Sequence, residues 1–235
     1  LVLRWESQLI VRKAIGMSRK TSAGAESVRS VSTSTSETSD EWTSRIVQSL
    51  PVKPYYAEGG IIIINSDCRL ILPHLEPVDL VLTDPPYGIG ESYASFDDTA
   101  ANLDQLLVDA VPLLFGASRR IALTPGVANI HRYPMPKWIM AWITPAGAGR
   151  GPWGFCCWQP ILVYGKDPFL TSGLGCRPDI IELTETSEKN GHPCPKPLGV
   201  WKHLLSRVSV DESETVLDPF MGSGTTLRAA KDLGR

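Results

Sequence analysis

The chain is short of the features that mark several protein classes, and each shortage excludes one. No apolar run approaches the roughly 18–20 residues of a membrane span, and Ile61–Ile64 has only the length of a strand. An apolar signal-peptide core is missing from the N-terminus. There are only five cysteines (Cys68, Cys156, Cys157, Cys176 and Cys194), none in a Cys-x-x-Cys pair. A disulfide framework or zinc knuckle is therefore not expected, and a reducing, cytoplasmic setting is. His74 and His203 lack ligand partners at useful spacing, so no metal is expected. Charge of one sign is absent too: 23 Lys and Arg against 25 Asp and Glu leave a net −2. A uniformly basic nucleic-acid coat is thereby excluded, though a local basic patch is not.

What is present fits a folded domain of 235 residues with 43 % hydrophobic residues, 19 prolines and 20 glycines. The chain begins at Leu1, with Met17 as the first plausible start, and stops at Leu233-Gly234-Arg235 without a turn signal, so both ends are expected to be cut. Residues 1–53 form a first segment, dominated from Met17 to about Thr43 by Ser and Thr. This composition buries too little apolar surface to offset ordering entropy, and the segment is expected to be disordered. Residues 54–235 form the domain.

Within that domain, strands alternate with helices. Ile61–Ile64 and Val78–Leu82 read as strands, Cys68–Leu75 as a short helix between them. Asn102–Leu114 has helical periodicity that Pro112 is expected to end or kink. Arg120–Leu123, Trp138–Ile143, Ile161–Tyr164 and Thr215–Leu217 are further strands, and Pro197–Val208 and Thr225–Leu233 further helices. The pattern predicts an α/β fold, a mainly parallel sheet flanked by helices, with ligands bound beyond the carboxyl ends of its strands.

Two motifs fall at strand ends. Asp84-Pro85-Pro86-Tyr87 puts a carboxylate, two residues of fixed φ and an aromatic ring in one turn. Asp84 and the Pro85 carbonyl can accept both N–H bonds of an exocyclic amino group, and Tyr87 can stack on a planar base. The plain alternative is a strand-ending turn with Asp84 as a cap. Asp218-Pro219-Phe220-Met221-Gly222-Ser223-Gly224-Thr225 follows a strand and opens a helix, so its glycines permit close backbone approach beside free N–H groups. A Walker loop is excluded because no Lys follows the second Gly, and the third glycine of a dinucleotide fingerprint is missing.

Together the motifs resemble the amino-group DNA methyltransferases that use S-adenosylmethionine. The catalytic turn precedes the Phe-x-Gly-x-Gly element, as in the permuted β group of that family. Asn190-Gly191-His192-Pro193-Cys194-Pro195-Lys196-Pro197 is similar to the family's His-Pro-Thr-Gln-Lys-Pro element, with Cys194-Pro195 in place of Thr-Gln. Ile64-Asn65-Ser66-Asp67-Cys68 is similar to its Gly-Asp-Cys element. The resemblance implies a Rossmann-like class I core in circularly permuted order. It assigns Asp84, Pro85, Pro86 and Tyr87 to catalysis. It assigns Asp67, Lys196, Pro197, Asp218, Pro219, Phe220, Gly222, Ser223, Gly224 and Thr225 to the cofactor, S-adenosyl-L-methionine.

The implied reaction is methylation of adenine N6 in double-stranded DNA, with the target base flipped out because its amino group is inaccessible in the duplex. Cytosine N4 is the alternative target, since the same acceptors serve either amino group. The small insert near 145–158 is expected to recognise the target, and Arg150 within it to contact DNA. The resemblance leaves room for a restriction endonuclease partner and for a homodimer. It also implies a further strand beyond Arg235, with an acid that binds the cofactor ribose. The chain is on that ground expected to be truncated, with an unpaired sheet position. A non-catalytic remnant that binds DNA or cofactor is the reading from another class.

Overall fold

The computed structural model describes residues 37–93, 96–145, 147, 149–188 and 194–235, and the main chain of residues 8–12. Its elements in chain order are β1 (Gln8–Arg12), α1 (Ser39–Ser49), β2 (Tyr56–Glu58), β3 (Ile61–Asn65), α2 (Cys68–Ile71) and β4 (Val78–Thr83). Then follow α3 (Ala100–Ala117), β5 (Ser118–Leu123), β6 (Trp138–Ile143), β7 (Arg150–Gly151), β8 (Gly154–Phe155) and β9 (Trp158–Tyr164). The C-terminal part adds α4 (Pro168–Thr171), β10 (Ile180–Ile181), α5 (Leu198–Val208), β11 (Val216–Asp218) and α6 (Thr225–Asp232).

Nine strands form one sheet in the order β10-β6-β9-β5-β4-β11-β1-β3-β2. The pairs β11·β4, β4·β5 and β10·β6 are parallel. β9 runs against both β5 and β6, and β1 against both β11 and β3, so β3, β11, β4, β5, β6 and β10 all point one way. Their carboxyl ends therefore share one edge, the place where such sheets bind ligands.

Side-chain alternation sends β4 into two cores. Val81 packs with α1 and α3, whereas its neighbours Leu80 and Leu82 pack with α5 and α6. The result is a sheet between two helical layers. Trp201 of α5 is among the largest fully buried side chains, and its indole Nε1 donates to Thr226 Oγ1 at 2.9 Å, tying α5 to the start of α6.

Three sequence expectations change. α3 runs through Pro112 to Ala117. Pro112 lies on the exposed side of the helix, where water can satisfy the carbonyl it leaves without a partner. The segment 1–53 is not uniformly without structure. Ser39–Ser49 is a helix with a reciprocal capping box: Glu41 N donates to Thr38 Oγ1 at 3.2 Å and Thr38 N to Glu41 Oε2 at 2.7 Å. Its Trp42 and Ile46 enter the core, while most of the Ser/Thr-rich stretch lies outside the described residues. Finally, the sheet position beside β11 is filled. β1 occupies it, pairing Ile10 with Asp218 and with Ile63, and thus joins the β3–β2 flank to the rest of the sheet.

Candidate active site

Asp84 follows the last residue of β4, and the donors around its carboxylate come from three separate stretches of chain. Tyr87 Oη donates to Oδ1 at 2.6 Å, and Thr124, just past β5, donates to the same oxygen. Lys196 Nζ donates to Oδ2 in an ion pair whose two side chains are largely shielded from solvent. The lysine ammonium also lies 5.2 Å from the Tyr87 ring centroid. On the ring itself, a Cβ at Gly126 would stand 3.6 Å from Cγ, so the glycine lets the backbone come up against the aromatic face. Burial and the Asp84 charge push the Tyr87 phenol well above its usual range, so its hydroxyl stays a donor.

The turn is braced by residues that the motif did not name. Asn129 Nδ2 donates to the Tyr87 carbonyl at 2.8 Å and to the Pro125 carbonyl at 3.1 Å. Asp98 is only 1 % exposed and accepts N–H bonds from Gly88 (2.7 Å), Ile89 (3.1 Å) and Glu91 (3.1 Å). These bonds gather the chain after the catalytic turn around one carboxylate. The sequence signal for Asp98 was ambiguous. It sits just before the α3 cap Thr99, so it reads as a helix start and not as the brace of a loop behind it.

The neighbouring strand β11 ends in Asp218, 3 % exposed. Its Oδ1 accepts from Thr83 Oγ1 at 2.6 Å and from Phe220 N at 3.1 Å. Burial raises this carboxyl to about 6, while the Thr226, Thr83 and Phe220 donors pull the other way. Thr83 is also the last residue of β4, so one hydroxyl ties the two motif strands together. Beyond Asp218, Gly222 and Gly224 take φ +52° and +82°, and Gly224 opens α6 in the left-handed conformation with open space where a side chain would stand. Ser223 and Thr225 hydroxyls lie 3.2 Å apart, and Thr225 Oγ1 donates to the Lys196 carbonyl at 3.4 Å. Lys196-Pro197 leads directly into α5, with Pro197 as its cap.

Asp67 follows β3 by two residues and caps α2. Its carboxylate accepts from Arg69 N at 2.9 Å and from Arg69 Nη2 at 2.6 Å, and this pairing holds it below the usual carboxylate range. Asp67, Asp218 and Asp84 therefore lie along the same carboxyl edge. Residues 190–193 of the His-Pro element lie outside the described residues.

Arg150 is on the β7–β8 hairpin, its guanidinium 5.5 Å from the Phe155 ring centroid. Trp153 at the hairpin turn is fully exposed and Phe155 is 69 % exposed, so neither serves as internal packing. Cys157 is exposed and Cys156 half-buried. Because β6 points the same way as β4, this insert leaves the sheet at the edge that carries Asp84.

A buried acid and a glycine loop end one strand and an Asp-Pro-Pro-Tyr turn ends the next, on one edge of an α/β sheet. Residues 158–235 match the N6_N4_Mtase family, described as DNA methylase. The chain is 50 % identical over 58 residues to the type II methyltransferase M.HindIII of Haemophilus influenzae, over 24 % of this chain and 18 % of that protein. It is 25 % identical over 213 residues to the type II methyltransferase M.HpaI of Haemophilus parainfluenzae, over 74 % of this chain and 67 % of that one. Its match thus spans less than a fifth of the first relative and two thirds of the second. Among solved structures, the M1.HpyAVI–SAM complex overlays with a TM-score of 0.49 at 22 % identity, over 72 % of this chain and 88 % of the other. The family match thus falls on the C-terminal part of the chain, from β9 to α6.

Proposed function

We propose that the chain methylates the N6 amino group of adenine in double-stranded DNA, using S-adenosyl-L-methionine and a target base turned out of the helix. The observation that carries this reading is the Asp84 carboxylate. It stands at a strand end among donors, one strand away from a buried acid and an open glycine loop. The site suits such a cofactor: carboxylates on the same edge favour a sulfonium cation, and the space at Gly224 admits a ligand against the backbone. Asp67, Lys196, Pro197, Asp218, Pro219, Phe220, Gly222, Ser223, Gly224 and Thr225 would hold it. When bound, the cofactor supplies an activated methyl group.

The rest falls to the chain's own residues. The amino nitrogen of adenine is a weak nucleophile because its lone pair is drawn into the ring. Asp84 and the Pro85 carbonyl accept its two N–H bonds and stabilise the positive charge that grows on nitrogen during attack. Pro85 and Pro86 fix the geometry of these acceptors, so little reorganisation is needed when the base arrives. Tyr87 packs on the base, a contact worth roughly 1–3 kcal/mol in single-strand binders.

The β7–β8 hairpin is the part proposed to meet DNA, Arg150 with phosphate and the exposed Trp153 and Phe155 with the groove or bases. A restriction endonuclease reading the same sequence, in the cytoplasm where the DNA is, fits the type II names of the relatives. The test is nucleoside mass spectrometry of unmethylated DNA incubated with the chain and S-adenosylmethionine. N6-methyladenine is expected. N4-methylcytosine would overturn the base assignment, and no methylated base would overturn catalysis by this chain.

A further inference from the structure

The same lysine touches both halves of the site. Its main-chain carbonyl accepts from Thr225 of the glycine loop, whereas its ammonium sits on Asp84 of the catalytic turn. Asp84 is consequently not free to receive a substrate. One oxygen already takes two hydroxyls and the other takes the ammonium. An incoming amino group needs the acceptor that Lys196 holds, and an ammonium cannot simply leave a shielded carboxylate without another anion to go to.

We propose that Lys196 is a positioning residue with two stations: its ammonium rests on Asp84 until cofactor arrives, then moves to the carboxylate of the cofactor's amino-acid end, and so releases Asp84 for the target amino group. The inference rests on the cofactor assigned above. A long flexible stem with three donors suits such a transfer, and the main chain, anchored at Thr225, stays in place while the head moves. The arrangement orders the events, because the acceptor for the base is completed only once the methyl donor is seated.

This makes Asp84 and the cofactor carboxylate competitors for one cation, which gives a thermodynamic signature. The probes are S-adenosylhomocysteine and 5′-methylthioadenosine. Both have uncharged sulfur, and only the first carries the amino-acid carboxylate. Isothermal titration calorimetry on the whole chain is expected to show Asp84→Asn binding S-adenosylhomocysteine about tenfold more tightly than wild type, with 5′-methylthioadenosine unchanged. Lys196→Met is expected to weaken S-adenosylhomocysteine about tenfold and leave 5′-methylthioadenosine unchanged. In the Lys196→Met background, Asp84→Asn should have no effect, because the competition has gone.

A purely structural ion pair gives the opposite pattern: either variant loosens the site and both ligands weaken together. That result, or unchanged or weaker S-adenosylhomocysteine binding by Asp84→Asn, overturns the proposal while leaving the methyltransferase reading intact. A wild-type chain that binds neither S-adenosylhomocysteine nor S-adenosylmethionine overturns the cofactor assignment and the lysine switch with it.

Discussion

Two aspartates end neighbouring parallel strands and live in opposite surroundings. Asp84 is ringed by an ammonium and two hydroxyls at the rim of the site, all of them donors to its carboxylate. Asp218 is sealed in the core, with neutral donors and no cation against it, and its carboxyl rises to about 6. The contrast teaches how one edge divides its labour. The rim acid gathers donors from the site around it, and the buried acid takes the Phe220 N–H of the loop that follows it.

The largest way to break the comparison is Asp84→Ala. It is expected to lower kcat by about 10²–10³-fold, the loss typical of removing one preorganised electrostatic partner. Its circular dichroism spectrum should be unchanged, and a radiolabelled methyl-transfer assay reads the effect. Next comes Asp98→Ala, which strands three N–H groups in a buried loop. A loss of about 3 kcal/mol is expected from urea unfolding.

The Asp218 carboxyl sharpens the contrast through pH. Its folded value lies above its unfolded one, so the stability it contributes is full below about pH 4 and is lost as pH rises through about 6. Asp218→Asn should remove that slope between pH 4 and 6, leaving the variant roughly 2–3 kcal/mol less pH-sensitive in denaturant titrations. Gly88→Ala is a smaller perturbation. At φ +69° a Cβ would sit 3.1 Å from the Ala100 Cα, so a loss of about 1–2 kcal/mol in thermal unfolding is expected. Smallest is Arg150→Ala on the exposed hairpin. It should weaken DNA binding and flatten its log–log salt dependence by about one unit, with cofactor affinity unchanged.

Much of this site was legible along the chain because its chemistry is local. The prolines of the catalytic turn, its acid and its ring lie within four residues, and the glycine loop lies between a strand and the helix it opens. The rest was hidden for stated reasons. Gln8–Arg12 is a strand only by virtue of the two strands it lies between, and its five residues carry no turn signal of their own. Pro112 looked like a stop because the sequence does not say which side of a helix faces water. Thr83, Asp98 and Asn129 are ordinary polar residues until the fold gives them partners.

By itself, then, the sequence determined most elements from β3 onward and which residue types stand at the ends of β4 and β11, since strand patterning, fixed proline φ and glycine freedom act over a few residues. Only the tertiary structure decided what meets there. Thr83 reaches Asp218 across 135 positions, and Lys196 reaches Asp84 across 112. Pairings over such distances follow from strand order and register in the sheet, which no local pattern encodes, and those pairings set the surroundings of the two aspartates.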